Sequence, residues 1–263
     1  MILMKKLLFI FCACALTAAS CKKSDQPTTT PGPAPTPAGK YLTKISYWTP
    51  ANNTEVPIRT IDVNASGDIT AIKTFSTASK PLLTLVTFSK DGSGRINKVE
   101  GTDQNSVAVS WAFEYDGAGN VAKSTYTKAG DATVTNYTYD SDNRITKEET
   151  LEANGTGVIS RTTYTYTGSD KNPAMSKSES LTFSPVIVTE YTYTYDTKKN
   201  PAHSLPGGKL LYYMDFAELQ PNNVLERKET GGTTVTYTYE YNANDYATSK
   251  KGSNGSGLKY YYQ

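Results

Sequence analysis

Along most of this chain one short pattern returns. Two aromatic or apolar residues stand at alternate positions, an Asp or Asn follows, and a polar turn leads into a second strand-like run. Phe113-Glu114-Tyr115-Asp116 runs into GAGNVAK, Tyr137-Thr138-Tyr139-Asp140 into SDNRITK, and Tyr193-Thr194-Tyr195-Asp196 into TKKNPA. Further copies centre on Tyr164 to Tyr166 and Tyr239 to Asn242, and earlier ones on Ile61 to Asn64 and Val86 to Phe88. Their second apolar residues fall at 63, 88, 115, 139, 166, 195 and 241, in steps of 25, 27, 24, 27, 29 and 46. A period of this size marks an internal repeat, and each copy must bury its apolar face against its neighbours.

Each copy reads as a β-hairpin. Alternation at period two gives a strand one apolar face, here the tyrosines, and one polar face, here the threonines. Asp or Asn starts the turn by accepting hydrogen bonds from nearby backbone, and Gly or Asn tolerates the positive φ that follows. A second, more polar strand such as RITKEETL then returns. Tyr suits an inner wall that is covered but partly wet, because its ring is apolar and its tip polar. The expectation is an all-β fold of about fifteen strands. The hairpins form an antiparallel meander that curls into a strongly curved sheet, a half-open roll or a barrel. The face opposite the tyrosines carries Arg161, Glu190, Thr192, Thr194 and Glu240, which belongs in water and not in lipid. The long step spans an insertion, GGKLLYYMDFAELQP, whose apolar spacing predicts a short helix near 209–219.

The ends read differently. Lys5 and Lys6, the apolar run Leu7 to Leu16 and the small residues Ala18-Ala19-Ser20 form an export signal over 1–20. The apolar run is about ten residues, short of the roughly 20 a membrane helix needs. LTAASC resembles a bacterial lipobox, which implies cleavage before Cys21 and its lipidation. Of the three cysteines, Cys12 and Cys14 lie in the leader, so the remainder has no possible internal disulfide. Residues 21–40 are a Pro/Thr-rich tether with no material for a core. Residues 41–263 are the repeat domain.

The repeats resemble the YD repeats of the Rhs class, aromatic-x-Tyr-Asp-x-x-Gly-Asn/Arg-aliphatic. Tyr115, Asp116, Gly119, Asn120 and Val121 match fully; Tyr139, Asp140, Arg144 and Ile145 match with Asn143 in the Gly place. Tyr195, Asp196, Asn200 and Pro201 form a KNP version, also present at Lys171-Asn172-Pro173. These copies resemble a bacterial lipoprotein domain of unknown function with a porin-like fold. That resemblance implies architecture and offers no catalytic residue.

Several chemistries lack their parts. The net charge is +2 with both signs interspersed, so no basic patch invites nucleic acid. His203 is the single histidine, which excludes a metal site built on several His or Cys ligands. DGSG at 91–94 and DSDN at 140–143 are turn chemistry and complete no calcium loop. Carboxylates are scattered through the turns and nothing selects a glycosidase pair. The expected function is a non-catalytic, cofactor-free lipoprotein of the outer membrane, more on the cell surface than facing the periplasm. It is anchored through Cys21 and binds a glycan or an envelope protein. Alternatives are a periplasmic carrier holding an apolar molecule inside the curved sheet, and a carboxylate glycosidase.

Overall fold

The computed structural model describes residues 41–49, 51–75, 81–152, 155–203 and 220–263. Cys21, the leader and the tether lie outside these residues, as does the helix expected near 209–219. The described residues form sixteen strands. In the first half these are β1 (Leu42–Thr49), β2 (Thr54–Val63), β3 (Ile69–Phe75), β4 (Pro81–Lys90), β5 (Ile96–Asp103), β6 (Ala108–Tyr115), β7 (Val121–Lys128) and β8 (Asp131–Tyr139). The second half comprises β9 (Ile145–Leu151), β10 (Val158–Tyr166), β11 (Pro173–Ser180), β12 (Ile187–Lys199), β13 (Asn222–Glu229), β14 (Thr234–Tyr241), β15 (Ala247–Gly252) and β16 (Gly257–Tyr262). Each strand pairs antiparallel with its neighbours in the chain, and β1 pairs with β16 to close a barrel. Reciprocal backbone bonds between Tyr41 and Gln263, at 3.1 and 3.0 Å, finish that seam. Closure selects the barrel from the shapes the repeat allowed. It leaves no sheet edge to satisfy.

A meander puts alternate turns at opposite ends. The turns after even-numbered strands, which carry the Asp or Asn, share one end with Tyr41 and Gln263. There the Asp116 N–H donates to Asn120 O at 2.8 Å and the Gly119 N–H to Asp116 O at 3.1 Å. Oδ1 of Asp116 accepts the N–H groups of Ala118 and Asn120 at 2.9 and 2.8 Å. This is a three-residue hairpin loop with a left-handed residue, Gly119 at φ 86°. Asn143 takes the same place in the next turn at φ 59°, where an Asn side chain is tolerated. The residue after the loop joins one turn to the next. Asn120 Nδ2 donates to Asn143 Oδ1 at 2.9 Å, and Arg144 Nη1 donates to the carbonyls of Gly168 and Asp170 at 2.7 and 3.0 Å.

The second Tyr of the motif has a specific duty. The β5–β6 ladder stops at Lys98 opposite Ala112, short of the strand ends. Tyr115 bridges the gap by donating its hydroxyl to Ile96 O at 2.6 Å. Tyr139 does the same to Val121 O at 2.9 Å and Tyr166 to Ile145 O at 2.8 Å; in the last copy the first Tyr, Tyr239, reaches Val224 O at 2.7 Å while Tyr241 turns to Asp196. Each acceptor belongs to the first aliphatic residue of the preceding strand. Phe or Leu would fill the space but leave that carbonyl without this donor, which favours Tyr at 115, 139 and 166; the earlier copies, with Val63 and Phe88, do without it.

Burial is uneven along the barrel. Leu42, Ile45, Ile61, Ile72, Leu85, Val99, Phe113, Val121 and Ala247 form one buried apolar cluster, with Tyr260 beside them. Tyr193, Val224, Val235 and Tyr237 form another, and Ile145 with Tyr164 a third. Thr192 and Thr194, between the tyrosines of β12, are exposed, so the tyrosines do face inward and the threonines outward. The outer wall of β9 to β11 carries a ladder of charge. Arg161 lies opposite Glu149 and Glu179 and meets them at 2.8 and 3.7 Å, while Lys147 and Lys177 flank the same carboxylates at 2.9 and 3.2 Å. A lipid-facing band would be apolar there, so this part of the wall stands in water.

Candidate functional site

Not all of the inner wall is apolar. Tyr164, Ser176 and Tyr193 are buried and fix which face of β10 to β12 points inward. Reading the registers outward from them gives a band of hydroxyls on that same face. Tyr137 stands opposite Glu148, Glu148 opposite Thr162, and Thr162 opposite Ser178. One row further, Thr135 stands opposite Thr150, and Thr150 opposite Ser160. The hydroxyls pair across the strands: Ser124 with Tyr137 at 3.0 Å, Thr135 with Thr150 at 3.3 Å, Thr162 with Ser178 at 3.0 Å and Ser176 with Tyr193 at 2.8 Å. Tyr164 donates to Glu148 Oε1 at 3.3 Å. Thr135, Glu148, Thr150, Thr162 and Ser178 point into the barrel yet stay only half-buried.

This band spans β7 to β12 and holds at its middle a carboxylate, Glu148, set between the phenols of Tyr137 and Tyr164. Burial pushes the Tyr137 hydroxyl up to about 12, the charge of Glu148 adds to the rise, and the bond to Ser124 opposes it. Tyr137 is therefore a neutral donor at every physiological pH. Hydroxyls that both donate and accept, with aromatic faces beside them, match a polyhydroxylated ligand. They offer little to an apolar one. Among the described residues no three His, Cys, Asp or Glu side chains come together to hold a metal ion.

At the Asp-turn end the repeat departs from its rule. Asp196 does not close a three-residue loop, because β12 runs on to Lys199. Its Oδ1 accepts the N–H groups of Lys198 and Asn223, both at 3.0 Å, and its Oδ2 accepts Asn223 Nδ2 at 3.0 Å and the Tyr241 hydroxyl. Asn172 of one KNP segment donates to Asn222 Oδ1 at 2.9 Å, and Asn222 in turn pairs with Lys199 of the other. Asn200, Pro201 and Ala202 are buried, and the Asn200 side chain accepts the Ala202 N–H at 2.9 Å. Tyr195 stands next in line, opposite Val224. A cavity of about 530 Å³ opens nearby between Arg144, Tyr166, Lys171, His203 and Gln220. The Arg144 guanidinium there is already engaged by Asp140, Asp142 and the two carbonyls of the next turn.

The motif residues singled out from the sequence thus collect at one end of the barrel and hold turns together. Tyr115, Asp116, Gly119, Asn120, Tyr139 and Asp140 build and link the regular turns; Asp196, Asn200 and Pro201 build the irregular one. The hydroxyl band was not singled out. Its signal is present, since Ser124, Glu148, Thr150, Thr162, Ser176 and Ser178 occupy the second strands of the hairpins or the approach to them. Their common face emerges only when the registers are known.

No protein-family model matches the chain, and no curated protein sequence does. Solved structures do resemble it. A porin-like protein from Bacteroides uniformis aligns at TM-score 0.55 and 14% identity, covering 87% of this chain and 99% of that one. A porin-like protein from Bacteroides vulgatus aligns at TM-score 0.39 and 12% identity, covering 85% and 98%. The first of these establishes a shared fold.

Proposed function

We propose that this chain is a lipid-anchored, non-catalytic binding module of the bacterial outer membrane, related to the YD-repeat proteins, whose barrel takes a glycan. The observation that carries the reading is the hydroxyl band on the inner face of β7 to β12, half-buried around Glu148. A carrier of apolar cargo would line that face with aliphatic groups. The water-facing charge ladder around Arg161 supports a barrel held beside a membrane and not threaded through it. The lipobox-like LTAASC supplies the means of holding it, and residues 22–40, at about 3.1 Å per residue, would reach about 60 Å.

The test is binding of the purified chain to a panel of envelope polysaccharides, followed by the Thr162→Val and Glu148→Gln variants. Saccharide binding that weakens at least tenfold in both variants is expected. No binding to any polysaccharide, or binding indifferent to both substitutions, refutes the site. The anchor is tested separately: Cys21→Ala is expected to move the protein to the soluble fraction, and retention in the membrane overturns the lipidation. Protease added to intact cells is expected to remove the C-terminal epitope while a periplasmic control survives.

A further inference from the structure

Among the described residues, the end of the barrel opposite the Asp turns carries one connection unlike its other turns. There the turns at Gln104 to Val107, Ala129 to Gly130, Thr230 to Thr233 and Ser253 to Ser256 are short and mostly polar. The β11–β12 connection instead reads Leu181-Thr-Phe-Ser-Pro-Val-Ile-Val-Thr189, with no charge between Glu179 and Glu190. Phe183, Val186, Ile187 and Val188 are 54%, 43%, 52% and 47% exposed.

Geometry explains the exposure. Ser180 pairs with Ile187 and Glu179 with Val188, so the hairpin continues to its tip. On the other side β12 first meets its neighbour at Tyr191 opposite Glu229, with the Thr230 N–H donating to Glu190 O at 2.9 Å. Residues 187–189 therefore stand beyond the rim formed by β13 and β14. Ile187 lies on the Ser180 face and Val188 on the Glu179 face, and both are exposed. A flat partner or a second copy would cover one face and leave the other wet. A medium that surrounds the tip covers both.

We propose that this tip inserts into the interfacial layer of a lipid bilayer. The charges below it set the depth. Glu179 stands opposite Val188 with Arg161 beside it on the outer wall, Lys177 lies lower on the same wall, and Glu190 and Glu229 flank the tip's base, so the charge-free part ends at Ile187 and the row of Val188 meets the headgroups. Chain length allows it as well. The stretch from Cys21 to Tyr41, at about 3.1 Å per residue, exceeds twice the about 26 Å of an eight-residue strand such as β11. An anchor entering at the Asp-turn end and a tip at the far end can thus rest on one membrane. The inference stands whether or not Cys21 is lipidated.

The experiment places a reporter on the tip of the full chain, Phe183→Trp, and subtracts the emission of the parent, which contains Trp48 and Trp111. Vesicles of phosphatidylethanolamine and phosphatidylglycerol are expected to shift the added emission to the blue, and acyl-chain-brominated lipid to quench it. With Cys21→Ala to remove the anchor, replacing Val186, Ile187 and Val188 by Ser is expected to weaken vesicle binding roughly tenfold or more. Added emission that stays water-like and open to iodide in the presence of vesicles overturns the proposal. So does a blue shift that needs no vesicles and grows with protein concentration, which would assign the tip to a second copy. An unchanged urea midpoint for the triple-Ser chain separates lost insertion from lost folding.

Discussion

Removing one oxygen atom tests the account of the repeat. In Tyr139→Phe the ring stays and Val121 O loses its partner, now 2.9 Å away. Val121 is buried, so water does not readily replace the phenol. A buried carbonyl left unpaired costs roughly 1–3 kcal/mol, and about 1.5 is a fair value for a half-buried donor such as Tyr139. With a urea dependence of about 3 kcal/mol/M for a domain of this size, the unfolding midpoint should fall by about 0.5 M. Tyr115, Tyr139 and Tyr166 sit on alternate strands, about 10 Å apart, so their effects should nearly add. The triple Phe variant should lose about 4–5 kcal/mol, a large share of the roughly 5–15 available to an ordinary domain. Tyr126, whose ring packs tilted against Trp111 at 4.5 Å between centroids, is the control; its Phe variant should change stability by less than about 0.5 kcal/mol. Equilibrium urea unfolding followed by tryptophan emission reads all of these. If Tyr139→Phe unfolds at the parent's midpoint, the hydroxyl is not what the repeat keeps Tyr for.

Other outcomes follow from the same structure. Gly101→Ala should cost roughly 1–3 kcal/mol or prevent folding, because a Cβ there collides with the Thr84 carbonyl oxygen in the neighbouring strand; thermal unfolding measures it. Gly119→Ala should destabilise by about 1 kcal/mol through its left-handed φ, whereas Asn143→Gly at the matching place eases the φ but loses the bond from Asn120 and should cost about 0.5–1 kcal/mol, as a paired urea titration would reveal. Stability should fall in acid. The Arg95 guanidinium holds Asp91 below the usual carboxylate range and the Asn120 N–H does so for Asp116, while at Asp140 burial works the other way and is outweighed by the bonds from Arg144. Folded values below about 3.9 mean that this contribution is complete above that pH and lost beneath it, so the urea midpoint should hold from pH 8 to 5 and drop below about 4. Tyr137 behaves oppositely: raised from about 10 to about 12, it withdraws stability as pH climbs through that window.

Much of this architecture was legible in the residues, and the limit of legibility has a physical cause. Asp116 followed by Gly119, and Asp140 followed by Asn143, announce their turns because the turn is local and its chemistry lies within five residues. The inward tyrosines were legible because alternation at period two needs no partner. The acceptor of each Tyr hydroxyl was not, since it lies about 20 residues upstream and depends on where a ladder splays. The hydroxyl band suffers from register. In β10, Thr162 faces inward and Thr165 outward, and a shift between Thr165 and Tyr166 resets the count, so composition alone cannot assign either. The apolar tip could have been noticed as an uncharged run between Glu179 and Glu190, in a place where the comparable turns are short and mostly polar.

The seam between β1 and β16 has a consequence in time. Every other pairing joins strands that are neighbours in the chain, so the meander can zip hairpin by hairpin as it emerges. Leu42 must wait for Tyr262, and Ile45 for Tyr260, before the circle is complete. A chain delivered from its N-terminus would thus expose its first strand earliest and satisfy it last. Until the final six-residue strand arrives, β1 is a sticky edge that some other surface must shield or that speed alone must protect.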